Sequence, residues 1–282
     1  MVSLSERIST IASSPTQAAA ARAQELRAAG RDVIAFTVGE PDFDTPQHVK
    51  DAAKKALDEG FTKYCAVGGI TELKSAIRDK FKRDQGLEYS DKEIIVTNGG
   101  KHALTACFSV LLNPGDEVII PAPYWTSYPD MTRLCGGVPI TVETSYEDGY
   151  TLTPEALARV ATPKTKVIIL NTPSNPTGAC YSQKQILDLV NAIKKLDNAD
   201  DILIISDEVY EYITYEGFEH VSIAQLAPEL KNNILIVNAF SKAYSMTGWR
   251  VGYAAGPEHI IGAMAKHSSQ FVSNVCTFAQ KG

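Results

Sequence analysis

The chain has 282 residues, 44% of them hydrophobic, which is enough for a sizeable core in one large or two ordinary domains. A formal charge of -6 offers no basic surface for nucleic acid, and no apolar run approaches the roughly 18 residues of a membrane span. Cys65, Cys107, Cys135, Cys180 and Cys276 are odd in number, widely spaced and without a C-x-x-C pair, as expected of reduced thiols.

Ser14, Pro15 and Gly30 read as the cap, first-turn proline and stop of an ordinary helix. Glu6 and Glu25 argue against a transit peptide, and no secretory signal precedes them, so a cytoplasmic protein is expected. Asp42 and Asp44 belong to a turn-forming stretch. Helical spacing or good helix formers mark 51–59, 71–83, 101–112, 154–160 and 182–196. Short β-branched runs mark strands at 94–96, 117–120, 138–142, 166–170, 202–205 and 234–237. The alternation predicts an α/β fold with a mostly parallel sheet, and Ile202-Leu203-Ile204-Ile205 fits burial on both faces. Residues 270–282 read as a helix cut short. His48, His102, His220, His259 and His267 show no zinc-binding spacing, and no metal site is expected.

Polar and glycine-rich residues collect where these strands end. Gly99-Gly100-Lys101 follows the first run, Trp125 the second, Asn175 the fourth, Asp207 the fifth and Ser241-Lys242 the sixth. In open α/β sheets the ligand crevice lies outside the carboxyl ends of the strands, so residues far apart in sequence should converge there. Strand, glycine turn and helix at 94–101 would present free N–H groups to a phosphate, although a plain turn explains a lone glycine pair as well. A nucleotide P-loop is excluded, because its first glycine would fall at Ile95 and its hydroxyl residue at His102.

Lys242 and Arg250 supply an amine and a planar cation. A lysine can hold an aldehyde cofactor as a Schiff base, and an arginine fork matches a phosphate, so the pair suggests pyridoxal phosphate. Asp207 could keep a pyridine nitrogen protonated or simply cap a helix; Tyr210 shares its face if helical geometry begins there. The proline-rich run 171–178 should be a rigid loop presenting the Asn175 amide, and Trp125 offers an indole for stacking or core filling.

With these motifs in their order and spacing, the chain resembles the fold-type I, class I pyridoxal-phosphate-dependent aminotransferases, and within them the bacterial aspartate aminotransferase subgroup. The match runs from about Ser3 to the last residue and is most specific at Asn175-Pro176-Thr177-Gly178, Ser206-Asp207-Glu208-Val209-Tyr210, Ser241-Lys242 and Gly248-Trp249-Arg250. The resemblance implies a three-layer α/β/α large domain over 46–282, with an arm and part of an incomplete small domain over 1–45. It implies that Lys242 carries the cofactor, Asp207 pairs with the pyridinium, Asn175 and Tyr210 contact the ring oxygen, and Trp125 stacks on the ring. Gly99, Gly100, Ser241 and Arg250 would surround the phosphate, joined by Tyr64 of a second subunit, so a homodimer is implied. Gly39 matches the backbone position beside the substrate's α-carboxylate, and Lys101 matches the lysine used for an acidic side chain. Trp125 and Asn175 would also touch substrate.

The implied reaction is ping-pong transfer of an amino group from L-aspartate to 2-oxoglutarate, with no nucleic-acid or membrane partner. Alternatives are an aromatic or prephenate aminotransferase, a lyase on the same scaffold, or a non-catalytic cofactor-binding fragment. The family draws a second arginine, for the α-carboxylate, from a C-terminal segment. This sequence ends at Gly282 without it, so a C-terminally shortened chain is expected.

Overall fold

The computed structural model describes residues 2–11, 15–215 and 217–282, with Pro15 described by its backbone. The expected cap Ser14 lies outside these residues, while the helix it would precede runs Pro15–Ala28 and is followed by Gly30 at φ 77°.

Seven strands form one sheet in the order β1-β7-β6-β5-β4-β2-β3. They are β1 (Ile94–Thr97), β2 (Glu117–Ala122), β3 (Val138–Glu143), β4 (Thr165–Asn171), β5 (Leu203–Asp207), β6 (Ile234–Ala239) and β7 (Gly252–Ala255). Every β-branched run expected to be a strand is one. The sheet is parallel from β3 to β6, and β7 runs antiparallel to both of its neighbours.

Strand side chains alternate between two cores, which makes the fold three-layered. Ile94, Ile168, Ile204 and Ile236 face one core, beneath helices Thr71–Gln85, Pro154–Val160 and Gln183–Ile193. Ile95, Ile169, Ile205 and Val237 face the other, beneath helices Gly100–Leu111, Ser127–Leu134 and Glu258–Phe271. Local chemistry sets several boundaries. Ser182 and Gln185 form a capping box, Thr153 accepts from the Ala156 N–H ahead of Pro154, and left-handed Gly86 closes the helix before it.

The expected helix over 270–282 is absent. Helix Glu258–Phe271 stops where the Val272 and Ser273 N–H groups both return to the Ser268 carbonyl, with Ser273 left-handed at φ 67°. Val275 then buries in the first core, and only a short 3-10 turn, Phe278–Gln280, follows. Gln280 ties the end down by accepting from the Ile70 N–H and donating to the Val275 carbonyl. No helix among the described residues is long and apolar enough to cross a membrane.

Candidate active site at the carboxyl edge of the sheet

Strands β1, β4, β5 and β6 all end at one edge of the sheet, and antiparallel β7 begins there. Gly252 is the register partner of both Thr97 on β1 and Ala239 on β6, so Arg250, two residues earlier, arrives beside the Gly99 turn and the Lys242 helix. The same register sets Asn171 opposite Asp207 and Asp207 opposite Val237. Ladder geometry therefore converts sequence separations of more than a hundred residues into neighbouring strand ends.

Two polar groupings result. In the first, Asp207 is buried and its Oδ2 accepts from the Tyr128 hydroxyl at 2.6 Å, while Oδ1 accepts from the Val209 N–H at 3.3 Å. Burial raises the Asp207 pKa to about 6 against the pull of those two donors. No helix follows Asp207, so the capping reading is overturned, and the helical reading of Tyr210 fails with it. Tight turns replace the helix, with the Glu211 N–H returning to the Glu208 carbonyl and that of Ile213 to Tyr210. Tyr210 nonetheless stays in the group: Asn175 Nδ2 reaches its hydroxyl at 3.4 Å, and burial followed by the Asp207 charge raises its pKa. Asn171 holds the loop in place, donating to the Asp207 carbonyl at 2.9 Å and accepting from the Asn175 N–H at 2.7 Å.

The second grouping is cationic. Lys242 Nζ donates to the Gly39 carbonyl at 2.5 Å. Burial lowers the Lys242 pKa, with Glu40 opposing that shift and Arg250 adding to it. Burial and then Arg250 also lower that of Lys101, whose Nζ stands 4.9 Å from the Trp125 ring centroid. Arg250 is left-handed at φ 57° and directs Nη1 to the Thr247 carbonyl at 2.9 Å and Nη2 to the Asn98 carbonyl at 3.4 Å. Among the described residues none of Lys101, Lys242 and Arg250 forms an ion pair. Two lysines that each feel the Arg250 charge, with none of the three cations in an ion pair and all next to the N-terminus of helix Gly100–Leu111, make a place suited to an anion. Gly99 completes it: at φ 77° it brings backbone so near the guanidinium that a Cβ would stand 2.5 Å from Arg250 Nη2.

Ser241 is buried at the start of the Lys242 turn, whereas Tyr64 is 90% exposed and is joined by hydrogen bond to none of the other candidates among the described residues. Tyr128 and Asn171 were not legible in advance. Trp125 meets Tyr128 edge-on, with centroids 5.4 Å apart at 88°. Just past the end of β5, Glu208, Glu211 and His220 bring ligand atoms within 4.8 Å of one another. Their carboxylates are already engaged by donors, with Lys80 on Glu211 and Ser206, Ser222 and Gln85 on Glu208.

This set of groups fits pyridoxal phosphate in three respects: a half-buried amine of lowered pKa, a buried carboxylate, and Arg250 beside the N-terminus of helix Gly100–Leu111, where the Gly99 N–H itself is turned back to the Thr97 carbonyl at 2.8 Å. The fold and site define an enzyme of amino-group transfer, and comparison with known proteins agrees. Residues 31–282 match the family model "Aminotransferase class I and II", and the chain belongs to that family. It is 51% identical over 277 residues to aspartate aminotransferase of Geobacillus stearothermophilus, a match covering 98% of this chain and 70% of the relative. The crystal structure of aspartate aminotransferase from Rhizobium meliloti superposes with a TM-score of 0.95 at 45% identity, covering 100% of this chain and 70% of that one. The Thermus thermophilus aspartate aminotransferase with maleate gives 0.94 at 47%, covering 100% and 72%. The chain thus spans about 70% of the length of these relatives.

Proposed function

We propose that this chain binds pyridoxal 5′-phosphate at the carboxyl edge of its sheet and transfers the amino group of L-aspartate to 2-oxoglutarate. The observation that carries the reading is the gathering of Lys101, Lys242 and Arg250, unpaired, around the Gly99 turn, with buried Asp207 on the neighbouring strand end. When bound, the cofactor supplies an aldehyde that condenses with amines and a ring that accepts electrons from the substrate's Cα. Every other part of the chemistry falls to side chains of this chain.

Arg250, Ser241 and the Gly100 amide hold the phosphate against the Gly99 backbone, where charge-assisted hydrogen bonds contribute about 1.5 to 3 kcal/mol each. Asp207 keeps the ring nitrogen protonated, and that positive partner offsets the burial that raises its pKa in the free chain. Asn175 and Tyr210 direct an amide and a hydroxyl to the ring oxygen, and Trp125 stacks on the ring. Lys242, its pKa already lowered, takes the proton from the substrate's Cα and would return it to the former aldehyde carbon on the far side of the amino nitrogen, a general-base role worth roughly 10² to 10⁴ in rate. Lys101 receives the side-chain carboxylate, the Gly39 backbone lies against the α-carboxylate, and Trp125 and Asn175 also border the substrate. The first product leaves before the second substrate enters, which gives ping-pong kinetics. We assign the cofactor-binding domain to residues 46–282 and an arm with a small-domain segment to 1–45, in a cytoplasmic homodimer; the resemblance to bacterial relatives and the five free cysteines support this setting.

Adding pyridoxal phosphate to the purified chain should produce the long-wavelength absorbance of lysine-bound cofactor, and Lys242→Ala should abolish it. An unchanged band in that variant removes Lys242 from its role. Lys101→Ala should penalise aspartate more than alanine as amino donor, and equal losses would refute the acidic-substrate assignment. Release of ammonia or carbon dioxide in place of transfer would point to a lyase.

A further inference from the structure

His102, in the first turn of helix Gly100–Leu111, has no part in the proposed reaction, yet it touches the turn that would hold the phosphate. Its Nδ1 accepts the Asn98 N–H at 3.1 Å, and the carbonyl of the same Asn98 accepts from Arg250 Nη2 at 3.4 Å. One residue is therefore fixed on both sides, by an imidazole behind and a guanidinium in front, immediately before Gly99. The acceptor role settles the tautomer: with the Nδ1 lone pair engaged, the ring proton lies on Nε2, which faces Ser268 Oγ at 3.4 Å. Ser268 is buried on helix Glu258–Phe271, so the ring is wedged between the turn and that helix.

We propose that His102 is a positioning residue for the phosphate turn: neutral, it fixes Asn98 and Gly99 against Arg250, and protonation at Nδ1 releases them. The inference rests on the reading that Gly99, Gly100 and Arg250 hold the cofactor's phosphate. A protonated Nδ1 is a donor and cannot accept the Asn98 N–H, so the tie is present or absent with the charge state. The titratable groups around the ring are His267, facing it from helix Glu258–Phe271, and Arg250, which reaches it only through Asn98. Burial first, and then His267, lower the His102 pKa below the ordinary value of about 6.5. The sign follows: the tie is still held as pH falls past the ordinary imidazole value and is lost only as pH falls through the lowered one.

Cofactor binding tests this without using turnover, by titrating the purified chain with pyridoxal phosphate and, separately, with pyridoxal, from pH 8 to pH 5.5. His102→Leu removes the acceptor and should weaken pyridoxal phosphate about five- to tenfold at pH 8 while leaving pyridoxal unaffected. His102→Asn can set an amide oxygen near the Nδ1 position; it should restore most of that affinity and flatten the extra loss that the native chain shows at low pH. In the cofactor-free native chain the Asn98 amide resonance should titrate together with the His102 ring. Equal weakening of both ligands by His102→Leu, or an Asn98 amide indifferent to His102 ionisation, overturns the proposal. Native affinity that is the same for both ligands and is untouched by Arg250→Ala overturns the phosphate reading itself, and this inference with it.

Discussion

Asp207 carries a cost in the folded chain that the proposed cofactor would offset. Its pKa is about 6 in the folded chain, against 3.8 ordinarily. Between those values the folded state keeps a proton that the unfolded state has released, so stability falls as pH rises through that window and levels off above it. A shift of this size corresponds to on the order of 3 kcal/mol at neutral pH. Asp207→Asn removes the charge but keeps an oxygen for the Tyr128 hydroxyl. Without cofactor, the variant should therefore melt roughly 5 to 10 °C above the native chain at pH 7.5, and the gap should shrink to about a third near pH 4.5. With pyridoxal phosphate present the order should reverse, because only the carboxylate gains a cationic partner. Thermal melts at the two pH values decide it; a variant destabilised equally at both would show that the carboxylate is structural.

At the scale of elements, the Gly99 turn and β7 depend on two glycines for different reasons. A Cβ on Gly252 would stand 2.7 Å from the Gly99 carbonyl carbon and 2.8 Å from the Gly100 nitrogen, both of them backbone atoms that cannot swing aside. Gly252→Ala should thus cost about 1 to 3 kcal/mol by overpacking, visible as a lower urea midpoint. A Cβ on Gly99 meets the end of a flexible side chain, Arg250, so Gly99→Ala should cost about 1 kcal/mol for its left-handed backbone and act mainly by displacing the guanidinium. Cofactor affinity should fall in both variants, and the urea midpoint should fall further in Gly252→Ala. The opposite ranking would show that β7 can shift along its neighbours. The same elements separate what sequence discloses from what it conceals. Runs such as Ile202-Leu203-Ile204-Ile205 declare themselves because β-branched residues buried on both faces leave little else to be. Strand β7, Gly252-Tyr253-Ala254-Ala255, has no β-branched residue and is a strand only because β1 and β6 flank it. Lys242, Asp207, Asn175 and Arg250 were legible as candidates from their motifs. Tyr128 and Asn171 were not, because each matters only through its contact with Asp207, which depends on a helix's placement and on strand register. A tyrosine one helical turn beyond Trp125 was the available signal.

For the molecule as a whole, the unresolved candidate is Tyr64, which is 90% exposed and unconnected by hydrogen bond to the other site residues among those described. An exposed tyrosine contributes little to its own chain's phosphate turn, but the same ring on a second copy can reach that turn if the copies pair around it, as the proposed homodimer requires. Cofactor affinity then becomes a function of protein concentration, because the complete phosphate site exists only in the pair, and the cofactor in turn favours pairing by the same free energy. Raising the chain from nanomolar to tens of micromolar should tighten pyridoxal phosphate binding in step with dimer formation measured by sedimentation. Tyr64→Phe should retain the dimer and lose part of that gain, about threefold to tenfold for one hydrogen bond to a charged group. Affinity that is constant across the concentration range, with sedimentation showing a change from single chains to pairs, would place the whole phosphate site within one chain and leave Tyr64 outside it.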